Sequence, residues 1–251
     1  MASPLTDFCE QVDPRVLSEA RTEKFLRGSR MQESFLASLE KRTLLFLARR
    51  MPAWVNSDHL TLLGFAAQVM AGVGYALAAS NQNWLIAVIA CLGLNWFGDS
   101  LDGTLARVRN RQRPRYGFYV DHMVDSFGAV ALMGGLALSG YMHPYIAIGL
   151  LVAFLVLSIQ SYLATYTLGE FQLSFWKFGP TELRILLAVG NLAVFRWPYV
   201  LKEHYRLFDI GGIVGLIGMA AMIVFFTARN TRRLYLQEQF IGTNVRSFSK
   251  V

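Results

Sequence analysis

The stretch FGDSLDGTLARVRNRQRPRYGFYVDHMVDSFG, residues 97–128, places four aspartates in an otherwise strongly apolar part of the chain. They form two pairs, Asp99 with Asp102 and Asp121 with Asp125, and a basic run separates the pairs. Because a helix turns about 100° per residue, the members of each pair lie within about 60° of one another on one helix face. The stretch therefore predicts a helix, a basic turn and a returning helix, with the two carboxylate pairs at matching depths.

The composition of the whole chain is typical of a membrane protein. Of its 251 residues, 54% are hydrophobic and only 16% are charged, whereas about 25% are charged in soluble domains. Six apolar blocks each have roughly the 20 residues that span a bilayer as a helix, and they cover 58–79, 84–106, 117–140, 144–168, 180–200 and 209–228. The blocks lack the alternation of barrel strands. The sequence therefore predicts an all-α fold, an integral membrane bundle of six transmembrane helices.

The segments outside this bundle are polar. Ahead of the first block, Met31, Phe35 and Leu39 repeat at helical spacing opposite Glu33 and Glu40, which is typical of an amphipathic helix lying at a membrane interface. We expect this interfacial helix to run to about residue 51. The predicted regions are an N-terminal segment (1–57), a six-helix membrane domain (58–228) and a C-terminal tail (229–251).

The placement of basic residues predicts the orientation of the bundle. With six spans, all of the 24 Lys and Arg residues fall on one side except Arg196, Lys202 and Arg206. Basic residues favour the cytoplasmic side, so both termini and the loop at 107–116 are predicted to be cytoplasmic. If the source is bacterial, the membrane is expected to be the inner membrane. Since topology and anionic headgroups explain the net charge of +7, nucleic acid is not an expected partner.

The four carboxylates require charge compensation. At about 1.5 Å per residue, Asp99 and Asp125 lie roughly 12 Å below the cytoplasmic edge, with Asp102 and Asp121 opposite each other nearer to it. Like charges this close in a poorly hydrated site repel, so the cluster must share protons or bind cations. An all-oxygen site suits magnesium or manganese, and two such ions would form a clamp for phosphate oxygens. The sequence therefore predicts a divalent-metal site open to the cytoplasm.

Several neighbours of the aspartates bear on this site. Gly103 and Ala106 continue the face of the first pair and leave room for a bulky ligand, although small residues are equally typical of a close helix contact. Arg107 provides a forked cation suited to phosphate, whereas the loop's other arginines are better explained as topology determinants. We interpret His122 as a hydrogen-bonding neighbour of the cluster, because oxygen donors are already present for a metal.

These residues resemble the signature of the CDP-alcohol phosphotransferase, or CDP-alcohol phosphatidyltransferase, family of membrane enzymes of phospholipid synthesis. The signature reads D-x-x-D-G-x-x-A-R, a short loop, and G-x-x-x-D-x-x-x-D. Its positions are filled here by Asp99, Asp102, Gly103, Ala106, Arg107, Gly117, Asp121 and Asp125. The resemblance implies a six-helix membrane fold, usually a homodimer, with cytoplasmic termini and a cytoplasmic active site.

The resemblance also implies a role for each motif residue. Asp99, Asp102 and Asp121 would bind divalent metals, and Asp125 would share in coordination and act as the general base. The oxygen of an alcohol acceptor would attack the phosphorus linked to the alcohol or lipid moiety of a CDP-linked donor, and CMP would leave. The CDP moiety would be bound by Gly103, Ala106, Arg107 and Gly117.

The stretch SDHLTLLG, residues 57–64, is similar to a P-N-x-x-T stretch of the family. Asp58 stands in the Asn position and Thr61 matches, which implies that both contact the nucleotide. Ser57 replaces the proline.

The stretch FGPTELR, residues 178–184, resembles the G-P-T-E of the choline and ethanolamine phosphotransferases. That likeness favours a CDP-choline-like donor with diacylglycerol as acceptor. Arg184 departs from the subgroup and would receive an anionic acceptor, such as a sugar phosphate or inositol phosphate. With the basic loop, it favours CDP-diacylglycerol as the donor and a polar alcohol as the acceptor, the alternative that we prefer.

Two other classes of protein remain as alternatives. Intramembrane carboxylates also build ion pathways, so an ion or proton-coupled transporter is possible. Such a protein would carry acidic residues through the membrane depth and often in repeated halves, whereas the four aspartates lie toward one side and the sequence has no visible repeat. An inactive scaffold is disfavoured because every motif position is filled.

Overall fold

A computed structural model describes residues 37–169, 180–197, 199–200 and 205–245, which are almost entirely helical. The helices are α1 (Ala37–Arg50), α2 (Ser57–Ala78), α3 (Trp84–Val108), α4 (Pro114–Leu138), α5 (Pro144–Leu168), α6 (Pro180–Arg196) and α7 (Leu207–Val245). Between α6 and α7, the two-residue strands β1 (Tyr199–Val200) and β2 (Tyr205–Arg206) pair antiparallel, with Tyr199 opposite Arg206. The predicted all-α class is confirmed.

Four helices, α2, α3, α5 and α7, are long and apolar enough to cross a bilayer. Helix α4 has 25 residues but carries Asp121 and Asp125 within its apolar sequence. Helix α6 has 17 residues, slightly fewer than the roughly 20 that a span needs. The four apolar helices indicate a membrane protein. The count of six spans and the cytoplasmic orientation stay predictions.

Helix α1 lies ahead of the first span, where the sequence predicts an interfacial helix. Residues 31–36 of that predicted helix are outside the described residues, and its position at a membrane interface stays a prediction. At the other end of the chain, α7 continues past residue 228 to Val245. The predicted tail is therefore helical over its described part, and the three regional boundaries also stay predictions.

Helix α2 packs against both α3 and α4. Its contact with α4 is made by backbone, because a Cβ built on Gly72 would overlap the carbonyl oxygen of Ala131 and one on Gly135 would overlap that of Gly72. Small residues at a helix crossing permit such an approach. Helix α6 packs against α3, α4 against α5, and α5 against α7. This arrangement brings α3, α4 and α6 around the aspartates.

The buried apolar side chains form two clusters. The larger one includes the fully buried Tyr75, Leu85 and Val88 and extends to α5, α6 and α7. The smaller one joins α1 to α2 and α3, and its buried members are Leu44, Ala48, Val55, Leu60, Leu101 and Leu105. Because Leu101 lies between the first two aspartates in sequence, this second cluster fixes α1 beside the acidic part of α3.

Candidate active site

Three of the four aspartates meet between α3 and α4. One carboxylate oxygen from each of Asp99, Asp121 and Asp125 lies within 4.8 Å of the other two. Asp99 comes from α3, and the other two come from successive turns of α4. Carboxylate oxygens are the preferred ligands of magnesium and manganese, so this donor set fits a divalent metal.

Asp102 contacts α2 and is outside that group of three. Its Oδ2 accepts a hydrogen bond from Thr61 Oγ1 at 2.6 Å, and its Oδ1 accepts one from the Gly103 amide. Ser57 Oγ donates to the backbone carbonyl of Asp102 at 2.9 Å. Thr61, expected at the nucleotide, therefore orients this carboxylate. Since an ionised carboxylate offers about four lone-pair sites, Asp102 retains capacity to coordinate, and its metal role stays a prediction.

Arg184 of α6 enters the carboxylate cluster. Its Nη2 lies 2.5 Å from Asp99 Oδ2, and its Nε donates to Asn95 Oδ1 at 2.7 Å. The side chains of Arg184 and Asp99 are only 14% and 24% exposed, so water screens this pair less than an exposed one. Asn95 is buried and also donates through Nδ2 to the Gly64 carbonyl at 2.9 Å. Arg184 thus offsets part of the negative charge of the cluster.

Two glycines allow α2 and α3 to touch beside the cluster. A Cβ on Gly98 would lie 2.5 Å from the Leu60 carbonyl oxygen, and one on Gly64 would lie 3.1 Å from the Asp99 amide nitrogen. Sequence reasoning missed these glycines and Asn95. The signal for Asn95 was present, because it lies one helical turn before Asp99 on the same face.

A pocket of about 360 Å³ lies between the start of α2 and the loop after α3. Asp58 and Ala106 contribute to its wall, and Arg109, Arg111 and Arg113 line it from the loop. Asp58 accepts hydrogen bonds from Arg113 Nη2 at 2.5 and 2.6 Å, and this contact raises the pKa of the Arg113 guanidinium. The excess of guanidinium groups suits the pocket to phosphate.

Arg109 has a structural role in addition to its charge. It donates hydrogen bonds to the carbonyls of Pro52 at 2.8 Å, of Met51 at 3.0 Å and of Val55. These carbonyls belong to the link between α1 and α2, so Arg109 fixes that link against the end of α3.

The remaining motif residues border open space. A Cβ on Gly103 would have Arg107 Nη1 as its neighbour at 3.6 Å, and one on Gly117 would meet no described heavy atom within 4 Å. Neither glycine is therefore required by helix packing, which favours the ligand interpretation over the close-contact one. Arg107 is exposed and donates to Thr104 Oγ1 at 2.9 Å.

His122 lies next to the carboxylate cluster. Its Nδ1 is 2.7 Å from the Phe118 carbonyl oxygen and 3.8 Å from Asp121 Oδ2. Its ring packs against Phe118 and Tyr162, with centroid distances of 4.1 and 4.8 Å. The histidine thus forms an aromatic wall beside Asp121.

A family model described as CDP-alcohol phosphatidyltransferase matches residues 54–228, the greater part of the chain. The matched region begins just before α2, ends within α7 and contains the aspartates, Asn95, Arg184 and the pocket. No curated protein matches the chain.

Proposed function

The chain belongs to the CDP-alcohol phosphatidyltransferase family, whose members transfer substituted phosphate groups, and from this premise we propose a specific reaction. The protein transfers a phosphatidyl group from CDP-diacylglycerol to the hydroxyl of a polar alcohol and releases CMP. The observation that carries the proposal is the group formed by Asp99, Asp121 and Asp125 against the guanidinium of Arg184. This arrangement combines ligands for divalent cations with a sheltered cation for an anionic substrate.

The proposed cofactor is magnesium or manganese, with two ions held by Asp99, Asp102, Asp121 and Asp125. When bound, the ions supply positive charge for the phosphate oxygens of the donor. Thr61 supports the site by orienting the Asp102 carboxylate.

Asp125 is the proposed general base. It lies one turn beyond Asp121 on α4, with its carboxylate directed into the cluster. The acceptor hydroxyl gives its proton to Asp125 as its oxygen attacks the phosphorus bonded to the diacylglycerol oxygen. The bond from that phosphorus to the bridging oxygen breaks, and CMP leaves with the electron pair. The chain's own contribution is therefore to orient the substrates and accept one proton.

We assign the nucleotide end of the donor to the pocket beside Asp58 and Ala106. Its loop arginines favour phosphate, and a Cβ on Gly103 or Gly117 would meet no backbone of a neighbouring described helix within 4 Å, which supports the assignment of both glycines to the donor. Arg107, at the same end of α3, is proposed to bind the diphosphate.

Arg184 favours one of the two substrate pairs. A sheltered guanidinium beside Asp99 favours an acceptor that carries an anionic group, such as a sugar or inositol phosphate. The alternative, a CDP-choline or CDP-ethanolamine donor with diacylglycerol, rests on the likeness of residues 178–184, of which 178 and 179 lie outside the described residues. An acceptor that lacks an anionic group would form no ion pair with Arg184, so we prefer CDP-diacylglycerol with a phosphorylated alcohol.

The test is release of CMP by the purified protein in lipid nanodiscs with magnesium or manganese. CDP-diacylglycerol is combined with a panel of phosphorylated and neutral alcohols, and CDP-choline with diacylglycerol is assayed in parallel. We expect metal-dependent release with a phosphorylated alcohol and its loss in Asp125→Asn. The matched control is Asp209→Asn, because Asp209 lies on α7 and accepts a hydrogen bond from the His143 amide. Absence of metal-dependent CMP from every pair would refute the proposal, and ion flux without nucleotide would support a transporter.

A further inference from the structure

One carboxylate oxygen of Glu40 connects three helices beside the candidate site. Glu40 Oε1 accepts hydrogen bonds from Thr181 Oγ1 at 2.8 Å, from Trp96 Nε1 at 2.9 Å and from Ser100 Oγ at 3.2 Å. Glu40 belongs to α1, Trp96 and Ser100 to α3, and Thr181 to the first turn of α6. Hydrogen bonds to an ionised acceptor are stronger than those between neutral groups, so this contact is a strong link among the three helices.

The partners of Glu40 adjoin two residues of the proposed active site. Ser100 directly follows Asp99, and Thr181 precedes Arg184 by three residues, about one helical turn. The carboxylate also lies at the N-terminal end of α6, where a negative charge is favourable to the helix dipole. Glu40 therefore contacts α6 one turn before the residue that enters the carboxylate cluster.

Helix α1, which carries Glu40, is itself packed against α2 and α3. Its Leu44 and Ala48 are buried against Leu60, Leu101 and Leu105 of α2 and α3. The position of α6 relative to α3 is consequently held at two levels, by the contacts of Arg184 within the cluster and by Glu40 at the end of the helix.

We propose that Glu40 is a positioning residue, whose carboxylate ties the start of α6 to α3 and so holds Arg184 against the carboxylate cluster. Glu40 lies outside the region that the family model matches, residues 54–228. The inference rests on the proposed function in that Arg184 is assigned to the acceptor. It gives α1 a role in substrate binding that a helix at the membrane surface would not otherwise have.

The kinetic test compares Glu40→Ala with Glu40→Gln. Alanine removes all three hydrogen bonds, whereas glutamine keeps an acceptor oxygen. In Glu40→Ala we expect the KM for the phosphorylated alcohol to rise about tenfold, equivalent to about 1.4 kcal/mol, while the KM for CDP-diacylglycerol stays unchanged. Glu40→Gln should restore most of the acceptor affinity. The control Lys41→Ala changes an exposed neighbour on the same helix and should behave as wild type.

A second pair of variants tests the same contact from α6. Thr181→Val removes the hydroxyl at nearly constant volume, and Thr181→Ser keeps it. Valine should raise the acceptor KM and serine should not. Because the side chain of Thr181 is only partly buried, this pair remains informative if Glu40→Ala fails to fold.

A measurement that needs no substrate tests the role of Glu40 independently of the proposed reaction. Hydrogen exchange of the 180–196 region is measured on the full chain in nanodiscs. We expect faster exchange at the start of α6 in Glu40→Ala and Thr181→Val, but not in Lys41→Ala. Unchanged exchange in both variants, or a Glu40→Gln variant as impaired as Glu40→Ala, would overturn the positioning role. If the wild type releases no CMP, the proposed reaction fails while the exchange data still decide the role of Glu40.

Discussion

At the residue scale, Asp99 forms an ion pair with Arg184 inside the carboxylate cluster. The Nη2 atom of Arg184 is 2.5 Å from Asp99 Oδ2, in a pair largely shielded from water. A cation bound by Asp99 would therefore lie close to the positive charge of Arg184, and the two would repel. We therefore expect Arg184, the residue proposed to bind the acceptor, to lower the affinity of the cluster for a divalent metal.

Arg184→Gln should consequently bind manganese more tightly than the wild type. We expect an increase of about tenfold, or about 1.4 kcal/mol, a fraction of the roughly 4 kcal/mol exchanged by unit charges 4 Å apart at an effective dielectric constant of 20. Calorimetric titration with manganese measures the effect without substrate. Arg113→Gln is the control, because it breaks the exposed pair with Asp58 and leaves the cluster unchanged. Weaker manganese binding by Arg184→Gln would contradict this account.

Removal of the Asn95 side chain should reduce both stability and acceptor binding. Asn95→Ala removes the acceptor of Arg184 Nε and the donor to the Gly64 carbonyl. A buried group that loses its hydrogen-bond partner costs about 1 to 3 kcal/mol, so the variant should unfold at a lower temperature and have a higher acceptor KM. Thermal unfolding in detergent and acceptor kinetics check both effects. Asn81→Ala, which alters an exposed loop amide that accepts a hydrogen bond from the Asn83 amide, should retain both properties.

The aspartates could be predicted from the sequence, but their partners could not. The helical period places Asp121 and Asp125 on one face of α4. The return of the chain places them at the depth of the first aspartate pair, and neither inference requires knowledge of side-chain packing. The contact of Thr61 with Asp102 depends on how α2 sits on α3. Glu40 and Thr181 are separated by 141 positions in the chain, so no local pattern signals their meeting.

At the scale of elements, the close crossing of α2 and α3 sets the geometry of the cluster. Gly98 directly precedes Asp99, and a Cβ there would lie 2.5 Å from the Leu60 carbonyl oxygen. That neighbour is backbone, so the two helices must move apart to accept any side chain. Such a movement also lengthens the contact between Thr61 and Asp102.

Gly98→Ala should therefore reduce both stability and activity, with Gly93→Ala as its matched control on the same helix. A Cβ on Gly93 would meet no described atom within 4 Å, and alanine is favoured over glycine in a helix by about 1 kcal/mol. We expect Gly93→Ala to be as stable as the wild type or more so, and Gly98→Ala to unfold at lower temperature with weaker manganese binding. Equal behaviour of the two variants would show that the crossing tolerates a wider spacing.

The ends of a helix could be predicted from the sequence where they coincide with the ends of an apolar block. Helices α2, α3 and α5 begin and end within about two residues of the predicted blocks, an agreement typical of helix ends. Helix α4 begins at Pro114, earlier than the block at 117, because proline is favoured in a first helical turn. Helix α7 extends well beyond its block, since polar residues continue a helix outside the bilayer without an apolar signal.

At the scale of the whole molecule, the outer helices expose most of their apolar surface. The candidate spans of α5 and α7 are only 11% and 6% buried, against 39% for α2. Since the other described residues leave these faces open, we expect lipid or a second copy of the chain to cover them. Both kinds of face are apolar inside a bilayer, and helix interfaces there are enriched in small residues.

Family resemblance implies a homodimer, and a second copy seated on α5 or α7 would bury part of this surface. We expect the protein in mild detergent to have a native mass, after subtraction of bound detergent and lipid, of twice its 28.2 kDa. Single cysteines in place of Val152 on α5 and Val214 on α7, both exposed, identify the interface by disulfide crosslinking between copies. The cysteines replaced in the background are Cys9 and Cys91. If the mass is that of one chain at every concentration and neither position crosslinks in native membranes, lipid covers both helices and the site is complete within one copy.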